Sequence, residues 1–241
     1  MICRLCHKEA ILENSHVIPE FMYSSLYDEK HRFQVLSTER EEKNSFEQKG
    51  IREALLCSDC ENQLSQSERY VSLVFRGDID LTIEKDGKLI IIDGLNYKAF
   101  RLFALSVLWR AGVSTKQMFE QVKLGPHEEI LRQMVLNNDP GTPETYPFIL
   151  SPLVHLGKPQ FNSIVQPTPS RLNGHFVYRF VFGGLVWVFL VSSHKPPDSI
   201  EPAIISRDGK LTMCTSELED VSFILNMARE LKKHGKFKGT R

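Results

Sequence analysis

The chain has 241 residues, with 30 Lys+Arg against 30 Asp+Glu, so its formal net charge is zero. That balance excludes a whole-protein field that would gather nucleic acid, and any such contact must come from a local patch. The length permits a real core, in one large domain or roughly two to three small ones, and the longest apolar run, Phe180 to Val191, is too short to span a bilayer and is broken by Gly183-Gly184.

Residues 1–75 form the first of three compositional blocks. Two cysteine pairs, Cys3-x-x-Cys6 and Cys57-x-x-Cys60, lie at its two ends, and just inside the first pair stands Ser15-His16-Val17-Ile18-Pro19. Residues 28–50 are polar and nearly free of apolar periodicity, which predicts a long excursion between the pairs. After the second pair, Glu61 to Val74 predicts a helix with Leu64, Val71 and Val74 on its apolar side. A cysteine knuckle, a β-hairpin and a second knuckle at the start of a helix is the treble-clef pattern.

The second block, 76–146, opens with a predicted hairpin, Asp80–Glu84 and Leu89–Ile92, about a turn at Asp86-Gly87. The most apolar helix follows, Tyr97 to Ala111, with Phe100, Phe103, Ala104, Val107, Leu108 and Ala111 at i, i+3, i+4 spacing, Asn96 as N-cap and Gly112 as C-cap. A further helix is predicted after Gly125-Pro126, over Glu128 to Leu136. The third block, 147–241, reads as mainly β. It holds one hairpin, Phe176–Phe182 with Leu185–Val191, about Gly183-Gly184, and a second, Ala203–Ser206 with Leu211–Cys214, about Asp208-Gly209. A final helix is predicted from about Glu217 to Lys233, capped by Thr215 or Ser216, before a basic tail, Lys232–Arg241, predicted to be disordered. With apolar faces of its own and no metal-ligand set, this block is expected to fold without residues 1–75. The fold class expected is α+β: an N-terminal zinc-bound module, a helical middle segment and a C-terminal hairpin-rich module with a terminal helix.

The chemistry concentrates in the first block. A two-residue spacer lets both sulfurs of a knuckle face one ion, so Cys3, Cys6, Cys57 and Cys60 supply a complete tetrahedral thiolate set for structural zinc. Four thiols in a polar, loop-rich block need such a reason, because a block that small lacks core and zinc contributes folding free energy. Four of the five cysteines in CxxC pairs, with no segment that reads as a signal peptide, fit a reducing cytoplasm better than a disulfide framework. The fifth, Cys214, reads as an inert core thiol in a strand. His7 reads as a solvent-facing knuckle residue, the four cysteines already completing the ligand set. Arg4, Lys8, Arg52 and Arg69 are candidates for phosphate contacts. Elsewhere, Trp109, Trp187 and the Phe100/Phe103 stripe read as core. His127-Glu128-Glu129 is no metal motif, because Ile130 and Leu131 fill the positions a second ligand would need.

Cys3-Arg-Leu-Cys6, then Ser15-His16-Val17-Ile18-Pro19, then Leu55-Leu56-Cys57-Ser-Asp-Cys60-Glu61-Asn62 resembles the HNH endonuclease superfamily in its zinc-knuckle, treble-clef branch, over about the first 70 residues. The resemblance implies metal-dependent hydrolysis of a phosphodiester in DNA or RNA, with His16 as general base and a divalent ion, Mg²⁺ or Mn²⁺, at the scissile phosphate. It also makes the cutting of foreign nucleic acid, as in phage defence, a plausible setting. The chain departs from the family at three places. Ser15 stands where the family has a metal-binding aspartate, Arg52 near a central asparagine, and Glu61, followed by Asn62, where a last histidine is usual. Glu61 is a hard oxygen ligand in that slot, with Glu68 or Asp59 as helpers. The alternative implied by these departures is a catalytically degenerate treble clef that binds nucleic acid or a protein partner as an adaptor.

Overall fold

In the computed structural model, which describes residues 1–160 and 162–236, the first knuckle precedes a strand and the second ends one. Strand β1 (Leu12–His16) leads through Pro19 into a 3-10 turn at Glu20–Leu26. The polar excursion then carries two short paired strands, β2 (Phe33–Val35) and β3 (Ser45–Glu47), and returns as β4 (Arg52–Cys57). β4 pairs antiparallel with β1, Leu12 opposite Cys57 and His16 opposite Arg52, with a bulge between Glu13 and Asn14. A bulge bends a strand and re-aims its side chains. Here it lies directly before Ser15 and His16.

Helix α1 (Ser58–Arg76) follows β4 without a break. It begins earlier than the apolar pattern predicts, because Ser58 and Asp59 are exposed and polar while Cys60 supplies the first buried position. Cys60, Leu64, Ser67 and Val71 form its buried face, and Gly77 ends it at φ +77°, donating its N–H to Leu73 and Val74. A left-handed residue closing the last turn is the usual role of glycine.

The predicted hairpin forms as β5 (Thr82–Asp86) and β6 (Leu89–Asp93), its first strand shifted two residues later and its turn at Gly87-Lys88. Helix α2 (Tyr97–Val113) is buried on every side from Phe100 to Ala111. Asn96 caps it, its side chain accepting from Ala99 N at 2.9 Å, a contact that contributes about 1 kcal/mol. Gly112 is not the C-cap. It lies inside the helix, where a Cβ would stand 2.1 Å from Leu124 Cδ1, and the cap is Ser114. The glycine is required by close packing and not by backbone conformation. Helix α3 (His127–Leu136) follows Pro126.

The third block builds a six-stranded sheet. Strands β7 (Phe148–His155), β8 (Lys158–Pro159), β9 (Val165–Leu172), β10 (His175–Phe182) and β11 (Leu185–Leu190) make its body. The order across it is β13 (Ser216–Glu217), β7, β11, β10, β9, with β8 also on β7. The β10–β11 hairpin turns at Gly183-Gly184, as its sequence predicts. β9 contains Pro167 and Pro169 and sits at the edge, where a residue without an N–H does least harm to the ladder.

Two readings of this block are corrected. Ala203–Ser206 is not a strand: Asp198–Ala203 is a 3-10 turn, and β12 (Leu211–Cys214) pairs instead with β6, adding a third strand to the β5–β6 hairpin. The turn about Asp208-Gly209 does form, tied by Gly209 N to Ser206 O at 3.0 Å. Cys214 is in a strand but exposed, so it is not a core thiol. The terminal helix α4 (Ser222–Lys233) starts later than its apolar pattern suggests. Ser216-Glu217 form β13, parallel to β7, and a short 3-10 turn intervenes. α4 ends against the polar excursion: His234 Nδ1 lies 2.9 Å from Thr38 O, Lys236 Nζ donates to Ser37 O at 2.9 Å, and Asn44 Nδ2 donates to Lys236 O at 3.0 Å. Part of the predicted disordered tail is therefore ordered, and residues 237–241 lie outside the described residues.

One apolar cluster runs from Cys3 to Met213 and takes in buried side chains from all three blocks. Trp187 is its hub, with Phe182, Phe100 and Phe148 at ring-centroid distances of 4.7, 6.1 and 5.8 Å. The first block joins through Phe21, 6.0 Å from Phe103, and through Met22 and Phe75, which crowd Gly183. Contrary to the expectation of a self-sufficient C-terminal block, residues 76–241 share this core with residues 1–75.

Candidate functional site

The N-terminal block holds two sites along the β1–β4 pair. At the Leu12/Cys57 end, the Sγ atoms of Cys3, Cys6, Cys57 and Cys60 all lie within 4.8 Å of one another. Cys6 and Cys57 sulfurs are 3.8 Å apart, the edge of a tetrahedron with metal–sulfur bonds of about 2.3 Å. The donor set fits a tetrahedral metal such as zinc. Backbone contacts shape the loop: Cys3 N donates to Lys8 O at 2.9 Å and His7 N to Cys3 O at 3.0 Å, with His7 at φ +59°. His7 is exposed at the turn of the knuckle, as expected. Arg132 of α3 donates to Leu5 O between the two cysteines of the first knuckle and is itself held by Glu129, at 2.7 Å to each carboxylate oxygen.

The thiols are electrostatically linked. Burial raises the Cys3 thiol, but N–H groups of Cys6, Cys57 and Leu5 outweigh it and bring it down to about 7. Burial raises Cys57, and burial together with neighbouring sulfurs raises Cys60. Four thiols this close cannot all ionise unaided, and a dication relieves that conflict by replacing protons.

Along the same pair, a cavity of about 390 Å³ is lined by His16, Arg52 and Glu61 together with Glu13, Asn14, Ser15, Ser58 and Asn62. Strand pairing sets Arg52 across from His16, and Glu61 comes from the first turns of α1. Three of the sequence-predicted residues thus meet in one cavity. Arg4, Lys8 and Arg69 do not line it; all three are exposed. Asp59 is exposed and also stands outside the lining. Glu68 does not line the cavity; its Oε1 lies 2.7 Å from Arg110 Nη2, and its charge bears on both His16 and Glu61.

His16 is held by residues that sequence reasoning missed. Its Nε2 lies 2.6 Å from Glu20 Oε2, and its backbone carbonyl accepts from Arg110 Nη1 at 2.6 Å. Glu20 in turn accepts from Tyr27 Oη and from Gly50 N, the latter at 3.2 Å. Despite its partial burial, these hydrogen bonds and His16 keep the Glu20 carboxyl below the usual carboxylate range. The two groups meet at ion-pair distance, but Nε2 makes no hydrogen bond of good geometry among the described residues. Burial lowers the His16 pKa below the ordinary histidine value; Glu20 opposes the shift and Arg52 adds to it. The imidazole is therefore neutral at neutral pH, the state a general base requires. The i, i+4 spacing of His16 and Glu20 across Pro19 was the available signal.

Glu61 has an Oε1 that is buried without a hydrogen-bond partner among the described residues. Burial raises its pKa despite the Ser15 hydroxyl and the Arg110 charge. An orphaned carboxylate oxygen beside Ser15, Asn62 and Glu13 is a donor set suited to a hard divalent ion. Among the described residues, the four cysteines are the only group of three or more His, Cys, Asp or Glu residues drawn together in ligating geometry. A divalent ion at Glu61 would accordingly keep most of its water.

Arg110 deserves a direct test because the sequence reads it as part of an apolar helix. Its side chain is 1% exposed, with Glu68 as its charge partner and His16 O and Ser106 as further acceptors. Arg110→Met is expected to cost about 3 kcal/mol, since it strands Glu68 and the His16 carbonyl. Chemical denaturation measures it, and a change under about 0.5 kcal/mol, typical of surface sites, would show that both groups find other partners.

No helix is long and apolar enough to cross a membrane among the described residues. Comparison of the chain with family models, curated proteins and solved structures finds no match.

Proposed function

We propose that this chain is a metal-dependent endonuclease of the HNH type, built on a treble clef with zinc at Cys3, Cys6, Cys57 and Cys60. The observation that carries the reading is the arrangement of His16. It ends β1 in its neutral form, oriented by Glu20, in one cavity with Arg52 from β4 and Glu61 from α1. Strand, strand and helix thus bring a base, a cation and a hard oxygen donor together, as hydrolysis of a phosphodiester requires.

In this reading His16 takes a proton from the attacking water, and Glu20 stabilises the imidazolium that results. Arg52 neutralises a phosphate oxygen. Glu61, with Ser15 and Asn62 beside it, holds a Mg²⁺ or Mn²⁺ ion, which supplies charge stabilisation at the phosphate and leaving oxygen when bound. Arg4, Lys8 and Arg69, being exposed, serve in this reading as peripheral backbone contacts. DNA or RNA is the substrate. The five thiols, none of them in a disulfide among the described residues, suit a cytoplasmic setting such as phage defence.

A second reading is favoured by one observation: among the described residues, no His, Asp or Glu trio at the cavity stands within ligating reach of a common ion. The block would then be a structural treble clef acting as an adaptor for nucleic acid or protein. Incubating plasmid, single-stranded DNA and RNA with the zinc-loaded protein in Mg²⁺, Mn²⁺ or Ni²⁺ separates the two. Divalent-dependent cleavage is the expected result. Intact substrate in every arm, with zinc still bound, would establish the adaptor.

A further inference from the structure

A second cleft, of about 460 Å³, opens where the β9–β10 turn, the exit of β11 and the start of α3 meet. The turn is Asn173-Gly174, with φ of +47° and +85°, the pair of left-handed residues that a tight two-residue hairpin demands. Arg171 lies opposite Phe176 across the β9–β10 pair and His175 opposite Leu172, and all but Leu172 line the cleft. Beyond β11, the chain continues through Val191, whose N–H donates to Phe176 O at 3.0 Å, and delivers His194 and Lys195. His127 enters from the first residue of α3.

Of the ten lining residues, five are Arg171, Lys195, His127, His175 and His194, and none is a carboxylate. Two of these, Arg171 and Lys195, carry a full positive charge in a chain whose 30 acidic and 30 basic residues otherwise balance. The donors are only partly spent: Arg171 gives Nη1 to Gly174 O at 3.0 Å and keeps Nε and Nη2. His175 Nδ1 is buried with no hydrogen-bond partner among the described residues. His127 uses Nδ1 against Tyr146 Oη, at 2.9 Å, which leaves Nε2. Lys195 shares its charge with Asp198 at 2.8 Å, an exposed contact that a ligand can displace. The three histidines do not form a metal set, since no group containing them comes within ligating reach. Phe176, half-buried in the floor, offers an apolar surface beside these donors.

We propose that this cleft binds the phosphate of a nucleotide-sized ligand, with Arg171 and Lys195 as the charged contacts and the three imidazoles as further donors. A volume in the range of small-molecule sites exceeds what a bare oxyanion fills. The ring of Phe176 gives the remaining volume an aromatic wall on which a base can stack. The site lies on the C-terminal sheet and stands or falls independently of any cleavage at His16.

The test is titration of the full-length, zinc-loaded protein, read by the histidine ring resonances in a carbon-correlated NMR spectrum. The probes are inorganic phosphate, adenosine monophosphate and a ten-residue oligothymidylate. Saturable shifts of His127, His175 and His194 are expected, with adenosine monophosphate binding more tightly than inorganic phosphate. If only the oligonucleotide shifts them, the phosphate comes from a strand and not from a free nucleotide, and the proposal holds. Arg171→Gln and Lys195→Gln should each weaken binding about tenfold, as loss of a charge-assisted contact does. Lys158→Gln, outside the cleft, should change nothing. Resonances that stay put with all three probes would overturn the proposal, as would shifts of equal affinity in both cleft variants.

Discussion

Serine in place of Cys57 is expected to strip the metal from this chain and to lower its melting temperature by roughly 10–20 °C. Structural zinc contributes ~10 kcal/mol or more where it is the main source of order. Here it is not the whole source. Cys3, Cys57 and Cys60 are packed with Leu5, Leu55 and Leu56 in the central cluster, so part of the local order survives without the ion. A loss near 5 kcal/mol, at about 2–4 °C per kcal/mol for a chain of this size, gives the stated range. Elemental analysis should fall from about one zinc per chain to none by the four-ligand rule. Calorimetry should follow, and chelator should do to the wild type what the substitution does. Zinc retained at full occupancy after both Cys57 and Cys60 are replaced would refute the ligand assignment.

If the chain is the endonuclease proposed above, His16→Ala should reduce cleavage by on the order of 10²–10⁴-fold, while zinc content and the unfolding midpoint stay near wild type. The pH dependence carries the sharper information. Activity needs the neutral imidazole, so it falls as pH drops through the folded-state pKa. Burial sets that value below the ordinary ~6.5, and the acid limb should therefore lie below pH ~6.5. Glu20→Gln removes a negative charge that favours protonation. Its acid limb should move further down in pH even as its plateau rate falls through loss of orientation. A limb that moves up, or a His16→Ala enzyme with full activity, would place the base elsewhere. The same depression makes a stability statement: the unfolded chain takes its proton first on acidification, so the contribution of His16 to stability is present above pH ~6.5 and declines below it.

The parts of this architecture legible in the sequence are those set by local chemistry. The knuckles, the Asn96 cap, the β5–β6 and β10–β11 hairpins and α2 all follow from spacing and turn residues. What escaped notice depends on partners distant in sequence. Arg110 and Arg132 sit in helices whose apolar pattern says nothing about a carbonyl at His16 or Leu5. Gly112 looked like a stop signal because Leu124 cannot be seen from a linear pattern. β12 was assigned to the nearer strand candidate, whereas its partner β6 lies more than a hundred residues away in the chain. Of the cavity, His16, Arg52 and Glu61 were legible, while Glu20, Tyr27 and Gly50 were not, since an orienting carboxylate reveals itself only by where it points.

The ties between the last turn of α4 and the polar excursion bear on the order in which the molecule can assemble. They span 192, 196 and 199 positions of the chain. Contacts of such separation incur their loop-closure entropy before they return any energy, and they form late. On a ribosome, β1 and β4 can pair and the cysteines can gather long before residues 234–236 emerge. Throughout that interval the excursion has no lid. Nascent chains should be cut by protease within residues 28–50 more readily before residues 234–236 have docked than after. A quality-control system that samples unfinished chains would thus find its signal in the most hydrophilic stretch of the protein.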